Sequence, residues 1–192
     1  MSNQLQPLKD IAEISEPVLT RIKRMPNYRI DGHNLNDLFD THSPRTSFSE
    51  DPRTYIPKTG SIIYSVWDHD EKFIYIGISG LQKPLEKRDP LSRMVAHASG
   101  NRSGDQFCVY IHDFFVIPEL IRTGIYHPSR GELDRLTKRY IHNNLYYRFV
   151  SFQSDDSDSV VRRLENKIKM GAIGAMPLLN GKEPNLQHDA LH

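Results

Sequence analysis

Six side chains of this 192-residue sequence have types and spacings suited to anion binding and proton transfer: Tyr64, Tyr75, Arg93, His97, Glu165 and Asn180. A guanidinium presents a planar fork that matches the oxygens of a phosphate. An imidazole moves protons near neutral pH. A phenol donates or accepts a hydrogen bond, and it becomes a base when a neighbouring cation acidifies it. Glu165 is the only carboxylate in the basic run Val160–Gly171, beside Arg162, Arg163, Lys167 and Lys169. A lone carboxylate of this kind can hold a hard divalent ion such as Mg²⁺, which keeps several of its waters. Each of these types also has a plain structural use: phenols pack cores, arginines and glutamates pair on surfaces, and asparagines sit in turns.

The elements that must position these groups are legible as pattern. Ile62–Trp67 and Phe73–Ile78 are rich in β-branched and aromatic residues, and the polar Asp68–Glu71 breaks them apart, which predicts a β-hairpin. An even-length loop centred between His69 and Asp70 sets Tyr64 directly opposite Tyr75, with both phenols on one face. Gly77 follows, where backbone can approach a ligand closely. Leu91–Ala98 reads as a helix with Leu91, Val95 and Ala98 inward, and Arg93 and His97, four apart, project from a neighbouring face. Gly100 is suited to the left-handed position that ends it. Gln106–Ile117 is apolar almost throughout and reads as a helix ending near Pro118. Ser129 and Glu132 fit a capping box for a helix through Asn143, with Leu133, Leu136, Tyr140 and Ile141 inward. Tyr146–Phe152 is a third strand. Asp155–Ser159 caps a last helix, whose core stripe is Val160, Val161, Leu164 and Ile168 and which Gly171 ends.

Residues 1–56 read as an accessory region. Leu8, Ile11 and Ile14 have helical spacing, Val18, Leu19 and Ile22 repeat it after Pro17, and Leu35–Phe39 adds a helical turn. Thr41–Thr59, with Pro44, Pro52 and Pro57 among Ser and Thr, reads as a linker without regular structure. The main domain then spans 57–183, and 184–192 is a loose tail. Hydrophobic content of 38% and charged content of 26% fit about one domain with a modest core. No apolar run is long enough for a membrane span, and the N-terminus lacks a signal-peptide pattern. The single Cys108 excludes an internal disulfide and a Cys-rich zinc module, which suggests a cytoplasmic setting. A net charge of +1 conceals basic stretches: Lys83, Lys87, Arg88, Arg93 and Arg102 outnumber Glu86 and Asp89 over Leu81–Arg102. Such stretches permit a polyanionic partner.

With these residues placed, the chain resembles the GIY-YIG endonuclease superfamily over roughly Gly60 to Asn180. Ile62-Ile63-Tyr64 stands where the family has Gly-Ile-Tyr, and Tyr75-Ile76-Gly77 is the second half of the name unaltered. Arg93 and His97 match the helical Arg and the His one turn later, Glu165 matches the acidic residue of the later helix, and Asn180 in Pro-Leu-Leu-Asn matches the terminal Asn. Ile62 replaces the first glycine, a change to backbone packing rather than chemistry. The connections from Tyr75 to Arg93 and from His97 to Glu165 are long for a minimal member.

The resemblance implies a small α+β nuclease: a three-stranded antiparallel sheet flanked by helices, after a helical N-terminal extension. It implies hydrolysis of DNA phosphodiesters with Mg²⁺ or Mn²⁺ held by Glu165. Tyr64 would take the proton of the attacking water, and Tyr75 would hydrogen-bond the phosphate or the water. Arg93 would bind the phosphate, His97 would assist proton transfer, and Asn180 would orient the glutamate or the nearby backbone. Lys72, in the hairpin turn, is placed to lower the phenol's pKa if it folds over Tyr64, and Lys83, Arg88, Arg102, Arg162 and Arg163 are candidates to track the nucleic-acid backbone. A restriction-like, defence-linked or mobile-element role fits a single catalytic module, and double-strand cutting would be easiest for a homodimer.

Two other readings compete. Glu165-Asn166-Lys167 spells the Glu-x-Lys of another nuclease superfamily, but here the triplet lies in a capped amphipathic helix that turns Glu and Lys to different faces. A module of the same fold that only binds nucleic acid would be favoured by loss of Glu165, Arg93 or either tyrosine, and all four are present. Phosphate contacts and a metal do not distinguish the sugar, so RNA stays open beside DNA.

Overall fold

The computed structural model of the chain describes residues 28–84, 87–125 and 127–179. The expected helices before residue 28, Asn180 and the tail after Pro184 lie outside the described residues. The first described elements are short. β1 (Arg29–Ile30) and β2 (His33–Asn34) form a two-stranded antiparallel ribbon, α1 (Asn36–Phe39) is one helical turn, and β3 (Thr46–Ser47) follows. The hairpin comes next, as β4 (Ser61–Asp68) and β5 (Phe73–Ser79). Then come α2 (Leu91–Ser99), α3 (Gln106–Ile111), a π-helical segment (His112–Val116) and α4 (Ile117–Arg122). The last elements are α5 (Arg130–Asn144), β6 (Leu145–Phe152) and α6 (Ser157–Lys169).

The main sheet is antiparallel and has four strands in the order β3-β6-β4-β5, not the expected three. The additional strand comes from the segment expected to be an irregular linker. Thr46 and Ser47 pair with Tyr147 and Tyr146 and cover the outer edge of β6, which would otherwise present unpaired backbone. Pro52 opens a 3₁₀ turn whose cap is Asp51, and Phe48 and Ile56 are buried. The polar composition of Thr41–Thr59 thus surrounds two apolar anchors. Residues 28–39 are also joined to the main core: Leu35, Leu38 and Phe39 are buried, and the Ser65 hydroxyl donates to the Leu38 carbonyl at 2.7 Å.

β4 lies between β6 and β5, so both of its edges are paired, and its run of apolar residues fits a strand with packed side chains on both faces. Alternation sends Ile63 and Trp67 to one side, where α6 lays down the expected stripe of Val160, Val161, Leu164 and Ile168 beside Leu38 and Phe39. Ile62, Tyr64 and Val66 face the other side, against Met94 of α2, Phe107, Cys108 and Ile111 of α3, and Ile141 of α5. The chain is therefore a mixed α and β fold, with a sheet covered on both faces. Among the described residues no helix is long and apolar enough to cross a membrane.

Three local expectations change in detail. In the hairpin, Trp67 pairs with Phe73 across a five-residue turn, where Glu71 has a positive φ of 59° and the Asp68 carboxylate accepts two backbone N–H groups at 2.9 Å. A bulge at Ile74 then moves the register again, so Tyr64 faces Gly77 and Tyr75 faces Val66. Each displacement is one residue; together they restore parity, and the two tyrosines share a face diagonally rather than directly. On α2 Leu91 and Ala98 pack against the core as expected, but the fully buried residues are Met94 and His97, and Val95 is 40% exposed. The helix expected to end near Pro118 continues to Arg122. The π segment precedes the proline, which then stands in the first turn of α4, where a missing N–H is tolerated. Gly100 adopts φ 72° after α2, and the Ser129 side chain caps α5, both as expected; at the start of α6 the N-cap residue is Asp156, and no side chain makes the expected cap bond.

Candidate active site

Tyr64 stands at the middle of β4, completely buried, with its ring over Gly77 of the neighbouring strand. A Cβ at Gly77 would lie 2.3 Å from the Tyr64 hydroxyl oxygen and 2.8 Å from Cε1 of Tyr75. The glycine expected to admit a ligand instead admits the phenol. The Tyr64 and Tyr75 rings are 6.3 Å apart at an interplanar angle of 37°. From the helix layer, α2 inserts His97, also completely buried, and its Nε2 lies 2.7 Å from the Tyr64 hydroxyl. The imidazole is wedged between Tyr75, edge-on at 6.1 Å, and Phe107, at 4.5 Å. Its Nδ1 bonds the carboxylate of Asp105. Arg93, one helical turn before His97, brings its guanidinium to both phenols. Glu165 on α6 is close enough for its charge to act on both phenols too, and it pairs with Lys169 at 2.9 Å.

Burial dominates the electrostatics. It pushes the Tyr64 phenol well above its ordinary range, with Tyr75 adding to the rise and Arg93 opposing it. Burial likewise raises Tyr75 to about 12. In the free chain neither phenol is acidified, contrary to the expectation for Tyr64. The cation that pulls the phenol down is Arg93 and not Lys72, whose backbone is tied to Asp68 in the hairpin turn. Burial also lowers the His97 pKa, against the pull of Asp105. For Asp105 burial acts to raise the pKa, but the hydrogen bonds with His97 and the Phe107 N–H, and the Arg93 charge, leave it below the usual carboxylate range.

Four of the six catalytic candidates, Tyr64, Tyr75, Arg93 and His97, thus converge from β4, β5 and α2; Glu165, on the helix that covers the other face of the sheet, reaches the phenols through its charge, and Asn180 lies outside the described residues. Its neighbours Leu178 and Leu179 donate backbone N–H groups to Phe73 and Ile74 at 2.9 and 2.8 Å, along the outer edge of β5. The basic residues expected to track a nucleic-acid backbone divide differently. Arg88 is 2% exposed and donates to the carbonyls of Gln82, Ser154 and Asp155 and to the Ser157 hydroxyl, so its guanidinium fastens the loop after β5 to the start of α6. Arg102 bonds Asp134 at 2.7 Å and His112 at 3.2 Å. Arg163 pairs with Asp31 at 2.9 Å, and Lys83 with Asp158 at 3.5 Å. Arg162 is exposed on α6.

One residue at the site escaped the sequence reading. Asp105 had a signal, since an Asp directly before an apolar helical run is a favoured N-cap; its Oδ1 accepts the Phe107 N–H at 2.8 Å. Of the basic residues named beside Glu165, Lys169 is the one that pairs with it, four residues on in the helix. Among the described residues no group of three or more His, Cys, Asp or Glu side chains could hold a metal ion. A site here would rest on Glu165 as its single carboxylate. No protein-family model matches this chain, and neither does a curated protein or a solved structure.

Proposed function

We propose that the chain is a GIY-YIG-type endonuclease that hydrolyses DNA phosphodiesters with a divalent metal ion. The observation that carries this reading is the convergence of two phenols, a guanidinium and a buried imidazole, with Glu165 in electrostatic reach. An in-line displacement at phosphorus needs a deprotonated water and positive charge where the phosphorane oxygens become negative. The Arg93 guanidinium, already turned to the phenols, is placed to receive a phosphate oxygen. Tyr64, buried in the free chain, would take the proton of the attacking water once substrate is bound, and Tyr75, at the less buried end of the pair, would hydrogen-bond the phosphate or the water.

A hard divalent ion, Mg²⁺ or Mn²⁺, fits the donor set in the way such ions bind beside phosphates, through one or two carboxylates, substrate oxygens and retained waters. Glu165 would hold it, and when bound it supplies charge stabilisation and a more acidic water. Lys169 holds the glutamate's charge in the free chain and would release it as the cation enters.

Cleavage of plasmid and single-stranded DNA with Mg²⁺ or Mn²⁺ tests the reading, with Glu165→Ala and Tyr64→Phe beside the wild type. Metal-dependent nicking or linearisation that falls by about 10²-fold or more in both variants is the expected result. Binding without cleavage would favour the non-catalytic module, and cleavage of RNA alone would change the substrate. Cleavage unchanged by Glu165→Ala would remove the metal assignment.

A further inference from the structure

Behind Tyr64 runs a closed line of polar atoms. The Tyr64 hydroxyl meets His97 Nε2, His97 Nδ1 meets the Asp105 carboxylate, and Asp105 is itself held by the N–H of Phe107 at the start of α3. Tyr64 and His97 have no exposed surface and Asp105 is 8% exposed, so in the free chain bulk solvent does not compete for these bonds. A carboxylate only accepts, so the nitrogen facing it carries a proton. Burial keeps His97 neutral, and a neutral ring protonated at Nδ1 has a bare lone pair at Nε2. The Tyr64 O–H therefore donates to His97, and its oxygen keeps its lone pairs as acceptors beside the Arg93 guanidinium. The sense of each hydrogen bond in the line is set by Asp105.

We propose that Asp105 is the positioning residue of a proton relay: it fixes His97 with Nδ1 protonated, so the Tyr64 phenol can accept a proton from the attacking water while passing its own to His97 Nε2. The inference rests on the phosphodiester hydrolysis argued above. As the water O–H bond breaks, its proton joins the Tyr64 oxygen, and the original phenolic proton joins Nε2. This leaves hydroxide, a neutral phenol and an imidazolium beside the Asp105 carboxylate. The hydroxide forms the new P–O bond as the bond to the leaving oxygen breaks. Solvent protonates the leaving oxygen, and His97 returns its proton through the phenol to solvent, so water and a diester give a monoester and an alcohol. No buried phenolate is formed, which resolves how a phenol held far above neutral pH can serve as the base. Tyr75 from β5, Arg93 from α2 and Glu165 from α6 also act on the Tyr64 phenol, and Arg93 acts on the His97 ring together with Asp105.

Asp105→Asn decides the matter. The Asn side-chain oxygen keeps the cap on Phe107, while its amide N–H turns a donor towards Nδ1, so the ring takes the Nε2–H form and the phenolic proton is turned outward. The tautomer is read by ¹⁵N NMR of the histidines in the free full-length chain, and turnover by Mg²⁺-dependent plasmid nicking across neutral pH. The wild type is expected to show the Nδ1–H ring and the Asn variant the Nε2–H ring, with kcat lower by about 10²-fold or more and KM little changed. His97→Gln should lose as much as Asp105→Asn, and the double variant no more than either, because the residues act as one unit. An Nε2–H ring in the wild type overturns the proposal even if the variant does not fold. An Asn variant that keeps kcat within about threefold overturns the relay alone. Absence of cleavage by the wild type overturns the hydrolytic reading, and the relay with it.

Discussion

Replacing Gly77 by alanine tests the packing that orients Tyr64. The added Cβ would lie 2.3 Å from the Tyr64 hydroxyl oxygen, 2.5 Å from its Cζ and 2.8 Å from Tyr75 Cε1, where ordinary contact begins at 3.4 Å. The Tyr64 ring must retreat by about 1 Å, and it has nowhere to go. β4 is paired on both edges, Tyr64 has no exposed surface, and its hydroxyl is bonded to His97. Overpacking of this kind costs about 1–3 kcal/mol, and a stretched or broken Tyr–His hydrogen bond adds about 1 kcal/mol. For a chain of this size a loss of about 2–3 kcal/mol lowers Tm by about 4–12 °C. Activity should fall by about 10²-fold, the scale expected when a reacting group is displaced by an ångström. Thermal denaturation followed by circular dichroism gives the first number, and plasmid nicking well below Tm gives the second. Tyr64→Phe removes the atom in closest contact, so in the Gly77→Ala background it should destabilise less than it does alone. That coupling is expected at about 0.5 kcal/mol or more. An alanine variant that melts with the wild type would refute the packing argument, because the phenol could not then lie over Gly77.

Two further perturbations follow from buried groups. Arg88→Met should cost about 3 kcal/mol or more in stability, since it strands buried carbonyls and Asp158; a variant that folds normally but binds DNA weakly would show that Arg88 serves the ligand instead. Alkaline pH should unfold the chain cooperatively. Burial raises Tyr64, Tyr75, Tyr140, Tyr146 and Tyr147, so in the folded chain these phenols keep protons that the unfolded chain releases near pH 10. The native state then binds more protons, and stability is lost as pH rises through 10 towards the folded values. Tyrosinate absorbance should rise in step with the loss of helical circular dichroism; a gradual titration near pH 10 with the helical signal intact would contradict the burial of these rings.

The hairpin shows why much of the site was legible and where the sequence stopped helping. Strand existence follows from residue type, and side-chain parity follows from the period of two. Parity is lost by one displacement and restored by two, so the turn and the bulge left Tyr64 and Tyr75 on one face while moving each to a different partner. Nothing in Phe73-Ile74-Tyr75 announces a bulge, because both faces of this hairpin are covered and Ile suits either. Asp105 was hidden for another reason. Its capping role is local and readable, but its bond to His97 depends on how the loop after α2 folds back, and Ser99–Gly104 carries no pattern that fixes that path. β3 depends on the open edge of β6, a strand about a hundred residues later in the chain.

Basic residues were the least legible, and their placement bears on how this chain would meet a polyanion. Charge in a sequence gives no direction, and the long arginine stem can turn inward as readily as outward. Arg88 and Arg148, 2% and 1% exposed, both turn inward. Arg148 bonds both oxygens of Glu71 at 3.2 and 3.4 Å and lies against the rings of Trp67 and Tyr146, securing the hairpin turn from the face opposite Tyr64. What remains for a phosphate is set by geometry rather than by number of charges. Arg93 is the arginine that faces the two phenols, and among the described residues it forms no ion pair with a carboxylate. The internal arginines hold the elements that present it: Arg88 ties the approach to α2 to the helix bearing Glu165, and Arg148 fixes the hairpin bearing both tyrosines. In this fold the basic residues that hold the elements together and the one proposed to bind substrate are different residues, and burial separates them where charge alone could not.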